Sequence, residues 1–352
     1  MVTIVEIIIS LVQILIFPGL FFLGTLSLTY AWIDRKFFAK LQNRIGPLYT
    51  GWRGIFQPLA DFIKLLAKED IVPDGVDKKM FNITPILALA VILTSLFFLP
   101  IYQFSGIASF TGDLIFVLFL MTAFVIIKLL AGWFSTNRFS LIGTERSAIQ
   151  LLGYEIPILV AAITPAILTQ SLTISEIVAV QAAGYVAGDF LLGFTRWAVF
   201  GPAAIALGIF IACSIAELEK VPFDIPEAET EIVAGWYTEF SGKKYGMFIF
   251  SVQLEMVFLA GLATALFLGG PSGPIPVAGS LGVITPWVVG LLQTIYFIIK
   301  TVIFVLVIAF IRAIFARVRI DQMVNISWRI FLPLALLSVL LVILIGPLYL
   351  WF

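Results

Sequence analysis

Eight apolar runs decide the class of this chain before any motif is read, because each is long enough to cross about 30 Å of hydrocarbon at about 1.5 Å per residue. They cover residues 3–32, 82–103, 112–134, 148–170, 190–216, 246–269, 285–311 and 328–351. Runs of this length exclude a soluble domain, and they lack the two-residue alternation of a membrane β-barrel. The expected fold is an all-α integral membrane protein of about eight transmembrane helices, with residues 1–352 forming a single membrane domain. Composition agrees: 61% of the residues are hydrophobic and 12% are charged. The first run opens MVTIVEIIIS with no basic residue ahead of it, so it reads as a retained span and not as a cleaved signal.

Charge sets the expected orientation. Of 21 Lys and Arg residues, 18 fall in the segments 33–81, 135–147, 217–245 and 312–329. The intervening segments 104–111, 171–189 and 270–284 contain none. By the positive-inside rule the four basic segments are cytoplasmic loops and both termini lie outside. The remaining basic residues, Lys128, Arg196 and Lys300, fall inside spans.

Several chemistries are excluded by what is missing. The chain has no histidine and one cysteine, Cys213, too few ligands for an iron–sulfur cluster, a structural zinc or a His-ligated haem. No phosphate-binding glycine loop is present. No cofactor is expected in this chain, and no nucleic-acid partner.

The acidic stretch ELEKVPFDIPEAETEIVAGWYTEFSG, residues 217–242, carries seven of the 21 carboxylates. Asp224-Ile-Pro-Glu227 fits a helix start, with Asp224 as cap and a helix running to about Phe240. Asp224, Glu227 and Glu229 would then sit at the positive helix end. Glu227 and Glu231 would lie one turn apart, where like charges repel unless a hydrated cavity or raised pKa values relieve them. In the first loop, Gln57 to Lys68 has the spacing of an amphipathic surface helix, with Leu59, Phe62, Ile63, Leu65 and Leu66 apolar and Asp61, Lys64 and Lys68 between them.

Lys128, Glu155 and Glu255 each lie six to nine residues inside a run, roughly 10–13 Å below the cytoplasmic surface. Glu217 ends the fifth run on the same side. Each alone would cost at least about 2.5 kcal/mol at a helix centre, so the four are expected to share one cavity and to form a protonatable relay. Lys128 is long enough to snorkel; the glutamates are not. Lys300, near mid-membrane, is a further relay candidate.

These features resemble a known family: the membrane subunit that joins the peripheral redox arm of respiratory complex I to its proton-pumping arm, with counterparts in membrane-bound hydrogenases and sulfur-reducing complexes. The resemblance covers nearly the whole chain. It rests on DRKFFAKLQNRIGP and GIFQPLADFIKLLAKE, on GWFSTNRFSLIGTERSAIQLLGYEIPIL, on PFDIPEAETEIVAGWYTEFSG, and on RVRIDQMVNISWRIFLP. It implies a cofactor-free connector subunit in a prokaryotic plasma membrane. The implied partners are a peripheral large subunit of nickel–iron or quinone-binding type, small iron–sulfur subunits carrying the clusters, and antiporter-like and small membrane subunits. By motif position it implies a proton path through Glu155, Glu217, Asp224, Glu227, Glu229 and Glu231. Arg35, Gln42, Arg44, Asp61 and Lys64 match the first-loop motif that faces the chamber and peripheral arm.

Three departures qualify the resemblance. Quinone-reducing members usually carry Asn-Arg where Glu219-Lys220 stands, and Asn where Leu48 stands. Their sixth-span glutamate aligns with Val252, one turn before Glu255. The expected function is therefore that of the connector in a ferredoxin-linked hydrogenase or sulfur reductase. A quinone-chamber subunit is the alternative reading, and a stand-alone ion-coupled transporter a second.

Overall fold

The structure, a computed structural model, describes residues 11–186, 196–273 and 286–351. Among these residues all regular secondary structure is helical, with no strand. The helices are α1 (Leu20–Leu41), α2 (Gln57–Ala67), α3 (Lys78–Leu96), α4 (Asp113–Phe134), α5 (Arg138–Thr169), α6 (Ile174–Val186), α7 (Ala204–Glu217), α8 (Glu229–Ile232), α9 (Gly242–Phe267), α10 (Pro286–Ile314), α11 (Ile320–Ile326) and α12 (Leu332–Trp351). A π-helical turn, Ser327–Phe331, joins α11 to α12. Seven of the described helical stretches are long and apolar enough to cross a membrane. The expected fifth span is represented by α7, which at 14 residues is shorter than a full crossing; residues 190–195 of that span lie outside the described residues.

The apolar runs located the crossings but not the helix ends. α1 runs past the expected end at Trp32 to Leu41, α5 begins at Arg138 and not at 148, and α11 begins at Ile320 and not at 328. Hydropathy marks where lipid begins, whereas helical hydrogen bonding continues through polar residues beyond it. A second difference is α6, which forms inside the expected outer loop 171–189. Asp113 Oδ1 accepts from Ile174 N–H (2.7 Å) at its start, and Ile177, Val178 and Ala182 bury one face.

α9 is the axis of the bundle. It packs on α1, α2, α3 and α10, and every residue from Leu254 to Phe267 is buried. A helix apolar all round belongs in such a place, which makes the charge at Glu255 an exception to its surroundings. α5 packs on α4, α7 and α12 to complete the bundle.

The four basic segments meet at one end of the bundle. Arg146 reaches Glu231 (2.5 Å), Arg317 reaches Asp224 (3.2 Å), Lys220 reaches Asp34 (3.1 Å), and Thr136 Oγ1 donates to the Gly75 carbonyl (2.8 Å). α2 lies at this end as the expected surface helix. Its Phe62 packs on Phe250 (5.0 Å between ring centroids), while Leu59, Ile63 and Leu66 form an exposed stripe at helical spacing.

The helix expected from Asp224 to Phe240 does not form. α8 is a single turn, and Val233 (φ 65°) and Gly235 (φ 59°) break it. A Cβ on Gly235 would stand 1.9 Å from the Pro226 carbonyl oxygen, so the loop doubles back on itself at a position only glycine fills. The fold behind this is tertiary. Trp236 is buried between α4 and α5, where Gly132 and Gly143 leave room: added Cβ atoms would come within 2.8 Å and 2.7 Å of it. Burying an indole there outweighs the few hydrogen bonds of a longer helix.

Candidate functional site

α7 ends in a turn that places the first functional side chain. Lys220 N–H donates to the Ile215 carbonyl and Glu219 N–H to the Ala216 carbonyl, both at 3.1 Å, which satisfies two of the last helix carbonyls. Glu219 holds the left-handed position of this turn at φ 51°. Glycine or asparagine is usual there, and a longer side chain costs on the order of 1 kcal/mol. The carboxylate is turned back into the bundle, where Trp236 Nε1 donates to Oε2 (2.9 Å) and Ser147 Oγ to Oε1 (3.3 Å).

Lys128 lies at the centre. Its side chain is 2% exposed, and its Nζ stands 3.6 Å from Glu219 Oε1 and 3.6 Å from Glu255 Oε1. It also donates to the Glu217 backbone carbonyl (3.2 Å) and sits over the Phe124 ring. At 3.6 Å the two carboxylate contacts are ion contacts, longer than hydrogen bonds. Lys128 therefore does not snorkel to the surface. Glu217 is fully buried, with Tyr154 beside it, and Glu155 is its strongest carboxylate neighbour. Thr122 Oγ1 donates to Glu155. Four residues singled out by depth, Lys128, Glu155, Glu217 and Glu255, thus come from four helices to one place, and Glu219 joins them. One lysine thus serves as the cation for several buried carboxylates.

A cavity of about 570 Å³ opens above this cluster. Its lining includes Val252, Trp236, Tyr237 and Met256 and the charged residues Asp34, Arg35, Glu219, Lys220, Asp224, Glu227, Arg312 and Arg317. Glu227 is half-buried and faces Glu219 and Tyr237. Burial, then the neighbouring Glu219 carboxylate, push its pKa well above the ordinary carboxylate range. Glu227, Glu219, Lys128 and Glu255 form a continuous series from the cavity into the bundle. Val252 faces the cavity, and Glu255 lies one turn deeper, against Lys128.

Lys220 and Arg312 share one partner, Asp34, at 3.1 Å and 3.2 Å. Asp34 is 6% exposed and is not among the sequence candidates, which in the first loop include Asp61 alone of the acids. Its signal was present: an acid directly before Arg35 at the end of the first run. Trp236, Ser147, Arg146 and Arg317 were likewise unmarked, since nothing local in the sequence pairs them with their acids.

Other expected site residues stand apart from the cluster. Glu231 is 50% exposed and paired with Arg146 (2.5 Å) and Arg317 (3.6 Å). Arg146 holds its carboxyl below the ordinary range. Two arginines hold its carboxylate, which offsets the repulsion expected on a common helix face. Asp224 pairs with Arg317 and does not cap a long helix. The Glu229 side chain lies outside the described residues. Lys300 is remote from the acids: its Nζ donates to the carbonyls of Leu268 (2.5 Å), Gly270 (2.8 Å) and Ser272 (2.6 Å) beyond the end of α9 and stacks on Trp197 (4.1 Å). Carbonyls at a helix C-terminus are a natural cation site.

In the first loop Arg35 Nη1 donates to Asp61 Oδ2 (2.6 Å) and Gln57 Nε2 to Asp61 Oδ1 (2.9 Å). Burial pushes the Asp61 carboxyl up, but these donors outweigh it and hold it below the usual range. Arg35, Asp61 and Lys64 line a second cleft of about 290 Å³ with Tyr245 and Gln253. Arg44 Nε donates to Gln42 Oε1 (2.8 Å), both exposed. Among the described residues no group of three or more His, Cys, Asp or Glu is arranged to hold a metal ion.

Glu231→Gln tests the surface assignment. A pair this exposed is screened by water, so the loss of stability at pH 7 is expected to stay below about 1 kcal/mol. Because the folded pKa is depressed, that contribution is present above the unfolded value near ~4.3 and disappears as pH falls through the folded value. Denaturant unfolding at pH 7 and pH 3 checks it; a large loss at both values contradicts the pairing.

The chain matches the family described as NADH dehydrogenase over residues 12–343. It is 35% identical over 336 residues to an NADH-quinone oxidoreductase subunit of Geobacter sulfurreducens, covering 90% of this chain and 89% of that protein. It is 33% identical over 329 residues to an NADH-quinone oxidoreductase subunit of Koribacter versatilis, covering 88% and 89%. It is 33% identical over 314 residues to an NADH-quinone oxidoreductase subunit of Dehalococcoides mccartyi, covering 89% and 81%.

Proposed function

The chain belongs to the NADH dehydrogenase family, and on that premise we propose that it is the cofactor-free connector of an ion-translocating oxidoreductase in a prokaryotic plasma membrane. It stands between a peripheral arm of iron–sulfur and large electron-transfer subunits and a membrane arm of antiporter-like subunits, with both of its termini outside. The observation that carries this reading is the series Glu227, Glu219, Lys128 and Glu255, with Glu217 and Glu155 beside it, running from an open cavity into the bundle. Electron transfer in the peripheral arm alters charge or packing at the cavity. Glu227 takes up or yields a proton there. The Lys128 cluster then redistributes protons among its acids, because moving one charge in so dry a site shifts the affinity of every other. No redox step takes place on this chain. Arg35 at the cavity, Asp61 and Lys64 in the second cleft, and the exposed Gln42 present this side of the chain to the peripheral arm.

Two readings of the electron acceptor each have an observation behind them. Glu219 and Lys220 put opposite charges into the cavity lining, which suits a ferredoxin-linked hydrogenase or sulfur reductase whose chamber need not hold a neutral quinone ring. The quinone reading is favoured by the names of the three relatives. Metal content and acceptor assays of the purified complex separate them: nickel together with iron supports the hydrogenase, sulfur reduction without nickel the sulfur reductase, and quinone reduction without nickel the quinone reading.

Glu255→Gln in the intact complex tests the path itself. Coupled turnover is expected to fall about tenfold or more, with subunit composition unchanged. A wild-type rate and a wild-type number of ions moved per electron would overturn the reading.

A further inference from the structure

The C-terminal end of α9, away from the cavity, carries a second charged centre. Gly269 and Gly270 take left-handed φ values of 67° and 57°, and the chain turns back there. A Cβ on Gly270 would stand 2.8 Å from Val178 of α6, so the turn is pressed against a neighbouring helix. Side chains satisfy the carbonyls of this end. Gln181 Nε2 of α6 donates to Leu266 (2.7 Å), and Ser272 Oγ donates to Gly269 (2.6 Å). Leu268, Gly270 and Ser272 all accept from Lys300 Nζ of α10, at 2.5, 2.8 and 2.6 Å. Among the described residues no backbone N–H reaches these three carbonyls. Without the lysine they would be buried acceptors lacking a donor.

The number of contacts fixes the chemistry. Three acceptors call for three N–H groups, which an ammonium has and a neutral amine does not. The Trp197 ring lies on the same nitrogen, 4.1 Å from its centroid, and an aromatic face attracts a cation. Lys300 is 7% exposed, and among the described residues its polar partners are these carbonyls, with no carboxylate. Converging carbonyl oxygens replace the water of a bound monovalent cation in the same way.

We propose that the Leu268, Gly270 and Ser272 carbonyls and the Trp197 ring form a monovalent-cation site of the primary-ammonium class, and that the Lys300 side chain is its resident ligand. The ion is tethered to α10, so it pins the end of α9 and the segment 196–201 to that helix. Lys300 then keeps its proton and acts as a positioning residue, not as a relay.

Chemical rescue in the intact complex tests this. Lys300→Ala removes the three outer methylenes and the ammonium, which n-propylammonium matches atom for atom. Hydrogen exchange of residues 196–201 and 266–273 is expected to rise roughly tenfold or more in the variant, as for the loss of charged hydrogen bonds. Added n-propylammonium is expected to return it toward the wild-type value, whereas 1-propanol and tetramethylammonium are not. Lys300→Met fills the volume without the charge, and it is expected to show the same rise with no rescue. Three results would overturn the proposal: wild-type exchange in Lys300→Met, equal recovery of Lys300→Ala with 1-propanol, or no recovery with n-propylammonium. Where Lys300→Ala does not assemble, Lys300→Met decides. Exchange is read without turnover, so the outcome does not depend on the proton path.

Discussion

Lys128→Met is expected to destabilise the protein more than any other single change at the site, by about 3–5 kcal/mol. The lysine is the cation that Glu219 and Glu255 share at 3.6 Å, and all three side chains are nearly inaccessible to water. Methionine fills the same volume but leaves buried carboxylates without their counter-charge, which is far costlier than an empty place in a core. The double variant Lys128→Met/Glu219→Gln removes one charge of each sign and is expected to recover a large part of the loss. Thermal unfolding of both variants in nanodiscs checks this. Neither is expected to translocate ions, because the series is interrupted in both. A single variant as stable as wild type would mean that the cluster is already neutral without its lysine.

Glu217→Gln is expected to show the opposite pattern, with stability kept and coupling lost. Glutamine has the same shape, and burying an amide is less costly than burying a carboxylate at a fully covered position. It cannot carry a proton. Coupled turnover is therefore expected to fall about a hundredfold, within the range for removing a positioned acid or base, while the complex assembles and unfolds as before. Glu155→Gln should behave alike, since Glu155 acts on Glu217 most directly. Ion translocation and electron transfer measured on the same preparation decide it. A variant that assembles poorly but pumps normally when assembled would assign Glu217 to docking.

The two expectations rest on side chains that were differently legible. Lys128, Glu155, Glu217 and Glu255 could be brought together from depth alone, because a charge inside an apolar run has so few favourable places to go. Glu219 could not. Its position follows from a left-handed turn at the end of α7 and from an indole donated by a loop 17 residues later. The loop itself reads locally as a helix to Phe240, since Asp224, Pro226 and Glu227 are good helix-starting residues and nothing local announces that Trp236 is buried between Gly132 and Gly143. Glu231 was misplaced for the same reason: on a helix it would face Glu227, and in the folded loop it faces Arg146. Lys300 was marked as a relay because its depth was readable, but its partners are main-chain carbonyls, which no residue pattern displays. The spans were the most legible part, being fixed by solvent, and their ends the least.

The unbroken burial of α9 beyond Glu255 has an electrical consequence. From Met256 to Phe267, about 18 Å of helix, the one polar side chain is Thr264, and its hydroxyl donates to the Ala260 carbonyl within its own helix (2.8 Å). The cavity brings solvent down to Met256 on the other side. On the proposed path a transmembrane voltage would then fall mainly across this apolar length and little between the cavity and Lys128. A proton stepping from Glu227 to Glu255 does little work against the field, whereas one forced past Phe267 would meet most of about 2.3 kcal/mol per 100 mV. On that path the acids would answer to events at the cavity while remaining nearly blind to the potential that the membrane holds.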